Sequence, residues 1–133
     1  MASTYDTDFY SWTQETAQRL RDGTALPAED LRNVIEEIED LGRHRYDSLV
    51  SHLAVYFLHK LKWDYQPDRR TRSWQVSMRT AQVNIRGLLE DNPGLQSKWG
   101  SALEKAYRRA KSLASIETDL PETTFPAECP YSL

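Results

Sequence analysis

The chain has 133 residues, of which 39% are hydrophobic and 28% are charged, with a formal net charge of −3. This composition is typical of a single globular domain and excludes an intrinsically disordered chain. The net acidity argues against general nucleic-acid coating, and the single cysteine, Cys129, excludes an intramolecular disulfide and a multi-cysteine zinc site.

Hydrophobic residues recur with a helical period along most of the chain. The pattern predicts helices over about residues 5–22, 28–42, 44–63, 71–91 and 93–117, followed by a tail over residues 118–133. We therefore expect an all-α fold, a four- to five-helix up-and-down bundle with an extended, proline-containing C-terminal tail. The expected organisation is one helical domain over residues 1–133.

The first predicted helix has Tyr5, Phe9 and Trp12 on one stripe, and Gly23 is placed to close its C-terminal end. The apolar stripe of the second continues in phase past Gly42. One helix through this point would be about 50 Å long at ~1.5 Å per residue. We therefore predict a bend or a short break at Gly42, because glycine weakens a helix.

Residues 49–61 are apolar on most sides, which predicts a central, buried helix. Further along, Asn92 and Pro93 form a stop-and-restart signal, in which Asn92 caps the last helix and Pro93 occupies its first position. The tail has three prolines and no helical period, and Phe125 and Tyr131 are its predicted anchors on the helices.

The N-terminal residues lack the basic start and apolar stretch of a signal peptide. The chain also has no run of about 18 apolar residues, as a membrane-spanning helix requires. We therefore expect a cytoplasmic protein with no membrane partner.

Three strings are distinctive: YDTDFYSWTQ at residues 5–14, EEIEDLGR at residues 36–43 and HLAVYFLHKLKWDYQPDRRTRSW at residues 52–74. With the C-terminal ETDLPETTFPAECPYSL, they resemble the bacterial domain of unknown function family 29, in the same order and over essentially the whole chain. The resemblance implies a small all-helical domain, abundant in cyanobacteria and proteobacteria, and it implies no activity. Family members often have Ser-Pro-Ser-Leu where this chain has Asn-Pro-Gly-Leu at residues 92–95, and either version caps a helix.

The first candidate for chemistry is a helix stripe formed by Arg45, Ser48, His52, Tyr56, His59 and Trp63. A histidine oriented by a carboxylate serves as a general base or a metal ligand, which makes His52 and His59 candidate catalytic residues. The stripe contains no carboxylate, so one would have to come from another helix. The two histidines are also about 10 Å apart along the axis, too far to share one ion. The alternative is two partly buried histidines with hydrogen-bond partners in the core.

The second candidate is an acidic face formed by Glu36, Asp40, His44 and Asp47. These residues line one side of a helix that runs through Gly42, and oxygen ligands of this kind suit Mg²⁺ or Mn²⁺. The alternative is a solvated face with Glu39–Arg43 and Asp40–His44 pairs.

The third candidate is a stretch from Lys60 to Arg86 with seven basic and two acidic residues, a net charge of +5, whereas residues 28–40 have a net charge of −5. Its candidate ligand-binding residues are Trp63, Tyr65, Arg69, Arg70, Arg72, Trp74 and Arg79. Guanidinium groups bind phosphate and aromatic rings stack on bases, so a single-stranded nucleic acid or a phosphate ligand fits this region. Amide groups at the helix start near Arg72 would add a phosphate site. Alternatively, the opposite charges pair within the fold or between subunits.

The leading hypothesis is a small cytoplasmic helical binding or interaction protein with a basic-aromatic contact region and no cofactor. Its expected partner is a second copy of itself, as a homodimer, or another protein. One alternative is a metal-assisted hydrolase or nuclease-like enzyme that uses His52 and His59 or the acidic face. Another is an antitoxin-like or accessory regulatory partner.

Overall fold

The structure, a computed structural model, describes residues 4–133. Its α-helices are α1 (Phe9–Arg21), α2 (Ala28–Tyr65), α3 (Arg72–Asp91) and α4 (Trp99–Thr118), and short 3₁₀ turns cover Pro67–Arg69, Pro93–Lys98 and Glu122–Thr124. The chain is 79% helical and the described residues form no strand, which confirms the predicted all-α class. None of the helices between residues 4 and 133 combines the length and apolar character needed to cross a membrane.

The prediction of a break at Gly42 was wrong, because α2 runs without interruption for 38 residues, about 57 Å at ~1.5 Å per residue. An internal glycine costs a helix only about 1 kcal/mol relative to alanine. Asp40 and Arg43 form an ion pair of 2.6 Å across this turn, and a Cβ at Gly42 would meet no atom within 4 Å. Gly42 therefore neither ends the helix nor admits a close neighbour.

The prediction that the last helix starts at Pro93 was also wrong. Pro93–Lys98 forms a 3₁₀ turn, and α4 begins at Trp99. The side chain of Asn92 does not cap this turn and instead donates a hydrogen bond from Nδ2 to the carbonyl oxygen of Leu88, at 3.0 Å. Asn92 thus closes the end of α3.

The start and end of α1 are set by local polar contacts. Asp8 caps the helix by accepting a hydrogen bond from the Ser11 amide at 3.0 Å, and this contact lowers the pKa of the Asp8 carboxyl. Gly23 follows the last turn with a φ of +73°, the left-handed conformation expected of a residue that closes a helix. The predicted role of Gly23 is confirmed, whereas the helix begins at Phe9 and not at residue 5.

The chain divides into two compact units, of which one ends at Arg43 and the other is His44–Leu133. α2 contributes residues to both. In the C-terminal unit, its fully buried side chains are Leu49, Leu53, Phe57 and Leu61, four residues apart on one helix face. The predicted central helix is therefore confirmed, although Val55 is 40% exposed.

Against this core, α4 presents a row of alanines, Ala102, Ala106, Ala110 and Ala114, all with 0% exposure. Because alanine has the smallest side chain that still favours a helix, this row leaves room for the large side chains of the same buried cluster. α3 contributes Ala81 and Ile85 to the same cluster.

The predicted anchors of the tail are confirmed. Phe125 is 3% exposed and meets the ring of Tyr65 edge-on, with ring centroids 5.1 Å apart. Tyr131 stacks on Phe57 and donates a hydrogen bond from its hydroxyl to Asp64, at 2.8 Å. The tail thus completes the core of the C-terminal unit.

Replacing Phe125 by alanine is expected to lower the free energy of unfolding by about 3–5 kcal/mol, because it leaves a cavity where a buried aromatic ring was. Urea denaturation followed by circular dichroism measures the change. The exposed neighbour Thr123→Ala is the control and should stay within about 0.5 kcal/mol of the wild type. Equal stability of the Phe125 variant and the control would contradict tail docking.

High pH should destabilise the protein partly through Tyr131. Burial and the hydrogen bond to Asp64 raise the pKa of this hydroxyl well above its usual value. The unfolded chain releases the proton near pH 10 while the folded chain keeps it, so the contribution is complete below pH 10 and is lost as the pH rises further. We expect stability to fall less steeply above pH 10 in Tyr131→Phe than in the wild type, measured by urea denaturation across pH. Parallel curves would exclude the tyrosine contribution.

Candidate binding surface

The candidate catalytic histidines are half-buried on α2. The Nδ1 atom of His59 lies 2.8 Å from the carbonyl oxygen of Val55. Because a carbonyl oxygen can only accept a hydrogen bond, His59 is the donor. Within residues 4–133, neither His52 nor His59 forms a hydrogen bond or ion pair with a carboxylate. The structure therefore provides no carboxylate to orient a general base here.

The acidic face is not assembled into a metal site. Within residues 4–133, no three His, Cys, Asp or Glu side chains come together as a group that could hold a metal ion. Glu36, His44 and Asp47 are exposed, and Asp40 pairs with Arg43. The ion pair that forms is thus Asp40–Arg43, and not the Asp40–His44 or Glu39–Arg43 pair expected from spacing.

Part of the predicted basic-aromatic region serves to hold the C-terminal unit together. The Arg70 guanidinium lies 4.8 Å from the centre of the Trp63 ring, and its Nε donates a hydrogen bond to the Trp63 carbonyl oxygen at 2.9 Å. This combination fixes the connection from α2 to α3. Arg70 is therefore engaged within the fold.

The other aromatic residues of the region are engaged as well. Lys62 lies over the Trp74 ring at 4.7 Å and forms an ion pair of 3.2 Å with Glu117 on α4. Tyr65 contacts Phe125 of the tail. Trp63, Tyr65 and Trp74, predicted to bind a ligand, thus all make intramolecular contacts, and their role in ligand binding stays a prediction.

The remaining predicted arginines have a different environment. Arg69, Arg72 and Arg79 are exposed, as is Arg86, and none of the four forms an ion pair within residues 4–133. Arg72, Arg79 and Arg86 are spaced by seven residues and therefore lie on one face of α3.

Two exposed valines lie between these arginines on the same face. Val76 is 49% exposed and Val83 is 61% exposed. We call the set Arg72, Val76, Arg79, Val83 and Arg86 the α3 outer face. Arg86 and the two valines were not among the predicted ligand-binding residues, although their repeated spacings of four and three were a signal that could have found them.

The predicted phosphate site at the helix start is partly filled by the protein itself. Thr71 caps α3, with its hydroxyl accepting a hydrogen bond from the Trp74 amide at 3.2 Å. A ligand of the α3 outer face would therefore be bound by side chains. Guanidinium groups bind carboxylates or phosphates, and the valine methyl groups contact apolar surface.

Cys129 has the properties of a structural residue. Burial raises the pKa of its thiol, so the reactive thiolate is disfavoured. The thiol donates to the Tyr131 carbonyl oxygen at 3.7 Å, a contact inside the tail. A nucleophilic role for Cys129 therefore has no support.

A family model described as the domain of unknown function DUF29 matches residues 4–133 of the chain. The match covers essentially the whole chain and agrees with the resemblance carried by the three strings and the tail. Among curated proteins and solved structures, none matches the chain.

Arg70 and Arg72 are two residues apart in the sequence, but we expect them to contribute differently to the free energy of unfolding. Arg70→Ala should lower the free energy of unfolding by about 1–2 kcal/mol, because it removes a cation–π contact and a hydrogen bond. Arg72→Ala should change it by less than about 0.5 kcal/mol, because this side chain is exposed and has no ion-pair partner in the described residues. Urea denaturation compares the two, and equal losses would contradict the distinction.

Proposed function

This chain belongs to the DUF29 family, and we propose that it is a cytoplasmic bacterial binding protein whose α3 outer face recognises an acidic, partly apolar surface on another protein. The observation that carries the proposal is the row of exposed arginines on α3 without ion-pair partners in residues 4–133, alternating with two exposed valines. Unpaired surface arginines with apolar side chains between them are typical of protein contact surfaces.

The composition of this face favours a protein over a single-stranded nucleic acid. A nucleic acid needs aromatic rings on which its bases stack, and Trp63 and Trp74 already lie against Arg70 and Lys62. A protein helix that presents glutamate or aspartate beside leucine or isoleucine fits this face, because its carboxylates pair with the guanidinium groups and its apolar side chains cover the valines. An antitoxin-like or accessory partner is one form that such binding would take.

The enzymatic alternative has weaker support. A hydrolase or nuclease that used His52, His59 or the acidic face would need an oriented histidine or a group of metal ligands. The His59 contact to its own helix and the separate positions of the acidic side chains favour binding over catalysis.

The proposal is tested with two labelled probes: an amphipathic helical peptide of leucine and glutamate, and single-stranded oligothymidylate. Fluorescence anisotropy should show that the peptide binds and that Arg72→Ala with Arg79→Ala weakens its binding at least about thirtyfold, since each of the two charged hydrogen bonds contributes about 1 kcal/mol or more. Added salt should weaken the binding as well.

The matched control is Arg108→Ala with Arg109→Ala, which removes the same charge from exposed positions on α4. This double variant should bind the peptide about as well as the wild type. Peptide binding that is insensitive to the α3 substitutions would refute the proposal. Preferential binding of oligothymidylate, lost in the α3 variant, would identify a nucleic-acid surface instead.

A further inference from the structure

The N-terminal unit leaves most of its large apolar side chains exposed. Its described part consists of α1 and the first part of α2, and within residues 4–43 the buried residues are Trp12 and Thr16, each 4% exposed. Besides Tyr10 (72%), which has a polar hydroxyl, the large apolar side chains that remain about half or more exposed are Phe9 (48%), Leu20 (53%), Leu31 (48%), Ile35 (50%), Ile38 (63%) and Leu41 (67%). We call these six residues the hairpin face.

Most members of the hairpin face surround one groove. A cavity of about 210 Å³ lies between α1 and the first part of α2, and Phe9, Leu20, Ile38 and Leu41 are among the residues that line it. The same side chains that form the groove are also those that extend into solvent. The face therefore offers both a recess and protruding apolar groups, as a self-complementary surface requires.

Polar contacts hold the two helices together beside this groove. The Trp12 ring nitrogen donates to Asp30 at 3.0 Å, and Arg19 pairs with the same carboxylate at 3.3 Å. The Tyr5 hydroxyl donates a hydrogen bond to Glu37. Because these contacts lie within the unit, the groove is formed before any partner binds, and less entropy is lost on binding.

Part of the charge on this stretch of α2 lies away from the apolar surface, whereas Glu37, which accepts the Tyr5 hydrogen bond, also lines the groove. Leu31, Ile35 and Ile38 are spaced by four and three residues and share a helix face. The exposed Glu36 is five residues from Leu31, about 140° around the helix. Two copies can therefore meet through their apolar residues while Glu36 stays in water and Glu37 keeps its partner Tyr5, although residues 28–40 have a net charge of −5.

The size of the face agrees with a dimer interface. The exposed fractions of the six residues correspond to roughly 600 Å² of accessible surface, taking ~180 Å² for each large residue when fully exposed. A stable homodimer buries about 800 Å² per partner. The hairpin face thus offers most of the area that one partner contributes to such an interface.

We propose that the hairpin face is a self-association surface, on which the α1–α2 hairpin of a second copy of this chain packs in a two-fold arrangement. Two helical hairpins that bury their apolar faces against each other form a four-helix contact. The site is separate from the α3 outer face, so the proposal stands or falls independently of partner binding at α3.

Sedimentation equilibrium tests the proposal with Ile38→Glu. We expect the wild type to dimerise and the dimer dissociation constant to rise at least about a hundredfold in the variant, because the two-fold buries the introduced charge twice. The matched control is Ile116→Glu on α4, an equally radical change at a residue that is 77% exposed, and it should leave dimerisation unchanged. Circular dichroism should show full helicity in both variants, since Ile38 is exposed in the single chain.

A second measurement does not depend on weakening the contact. Single cysteines are placed at positions 31, 35, 38 and 41 in a Cys129→Ser background, since Cys129 is the natural cysteine. Oxidation should cross-link copies at one or more of these positions and not at position 116. A wild type that stays monomeric at high concentration, or a dimer lost in Ile116→Glu but retained in Ile38→Glu, would overturn the proposal. Peptide binding by the α3 outer face should be unaffected by Ile38→Glu, which separates the two proposals.

Discussion

The contact between a large apolar helix face and a row of alanines sets the structure of the C-terminal unit. Leu49, Leu53 and Phe57 on α2 are fully buried, and so are the alanines at every fourth position of α4 from Ala102 to Ala114. Large side chains on one helix and small ones on the other fill one buried cluster. A larger residue in place of any of these alanines would have no space to occupy.

The remaining parts of this unit follow from that contact. Phe125 and Tyr131 lie against the end of α2, so aromatic side chains of the tail complete the core there. The pairs Arg70–Trp63 and Lys62–Trp74 secure the turn into α3. The stabilising contacts thus use most of the aromatic rings, and the α3 outer face is left exposed. In the N-terminal unit the hairpin holds its shape through polar contacts around Trp12 and leaves most of its large apolar side chains exposed.

Hydrophobic periodicity predicted much of this fold. The spacing of apolar residues identified the helices, the apolar run at residues 49–61 identified the central segment, and Phe125 and Tyr131 were recognisable as anchors because they interrupt a proline-containing tail. The errors came from residues with two common roles. Gly42 can break a helix or be tolerated inside one, and surrounding helix formers decided the outcome. Asn92 can cap the following helix or close the preceding one, and it does the latter.

The candidate site was harder to predict because binding and folding use the same chemistry. An arginine beside a tryptophan suits a ligand, yet Arg70 is placed against Trp63 by the turn between them. The Lys62–Glu117 pair joins residues 55 positions apart, which no local pattern reveals. Apolar residues such as Ile38 have the spacing of a core stripe, and only the structure shows that they are exposed.

The C-terminal unit buries its core within one chain, whereas the N-terminal hairpin, which its own polar contacts already form, is proposed to gain further stability from a partner copy. Amide hydrogen exchange, measured at low and high protein concentration, tests this most directly. We predict that protection of α1 rises with concentration while protection of residues 49–61 stays constant. Protection of α1 that equals that of residues 49–61 and does not change with concentration would contradict the account.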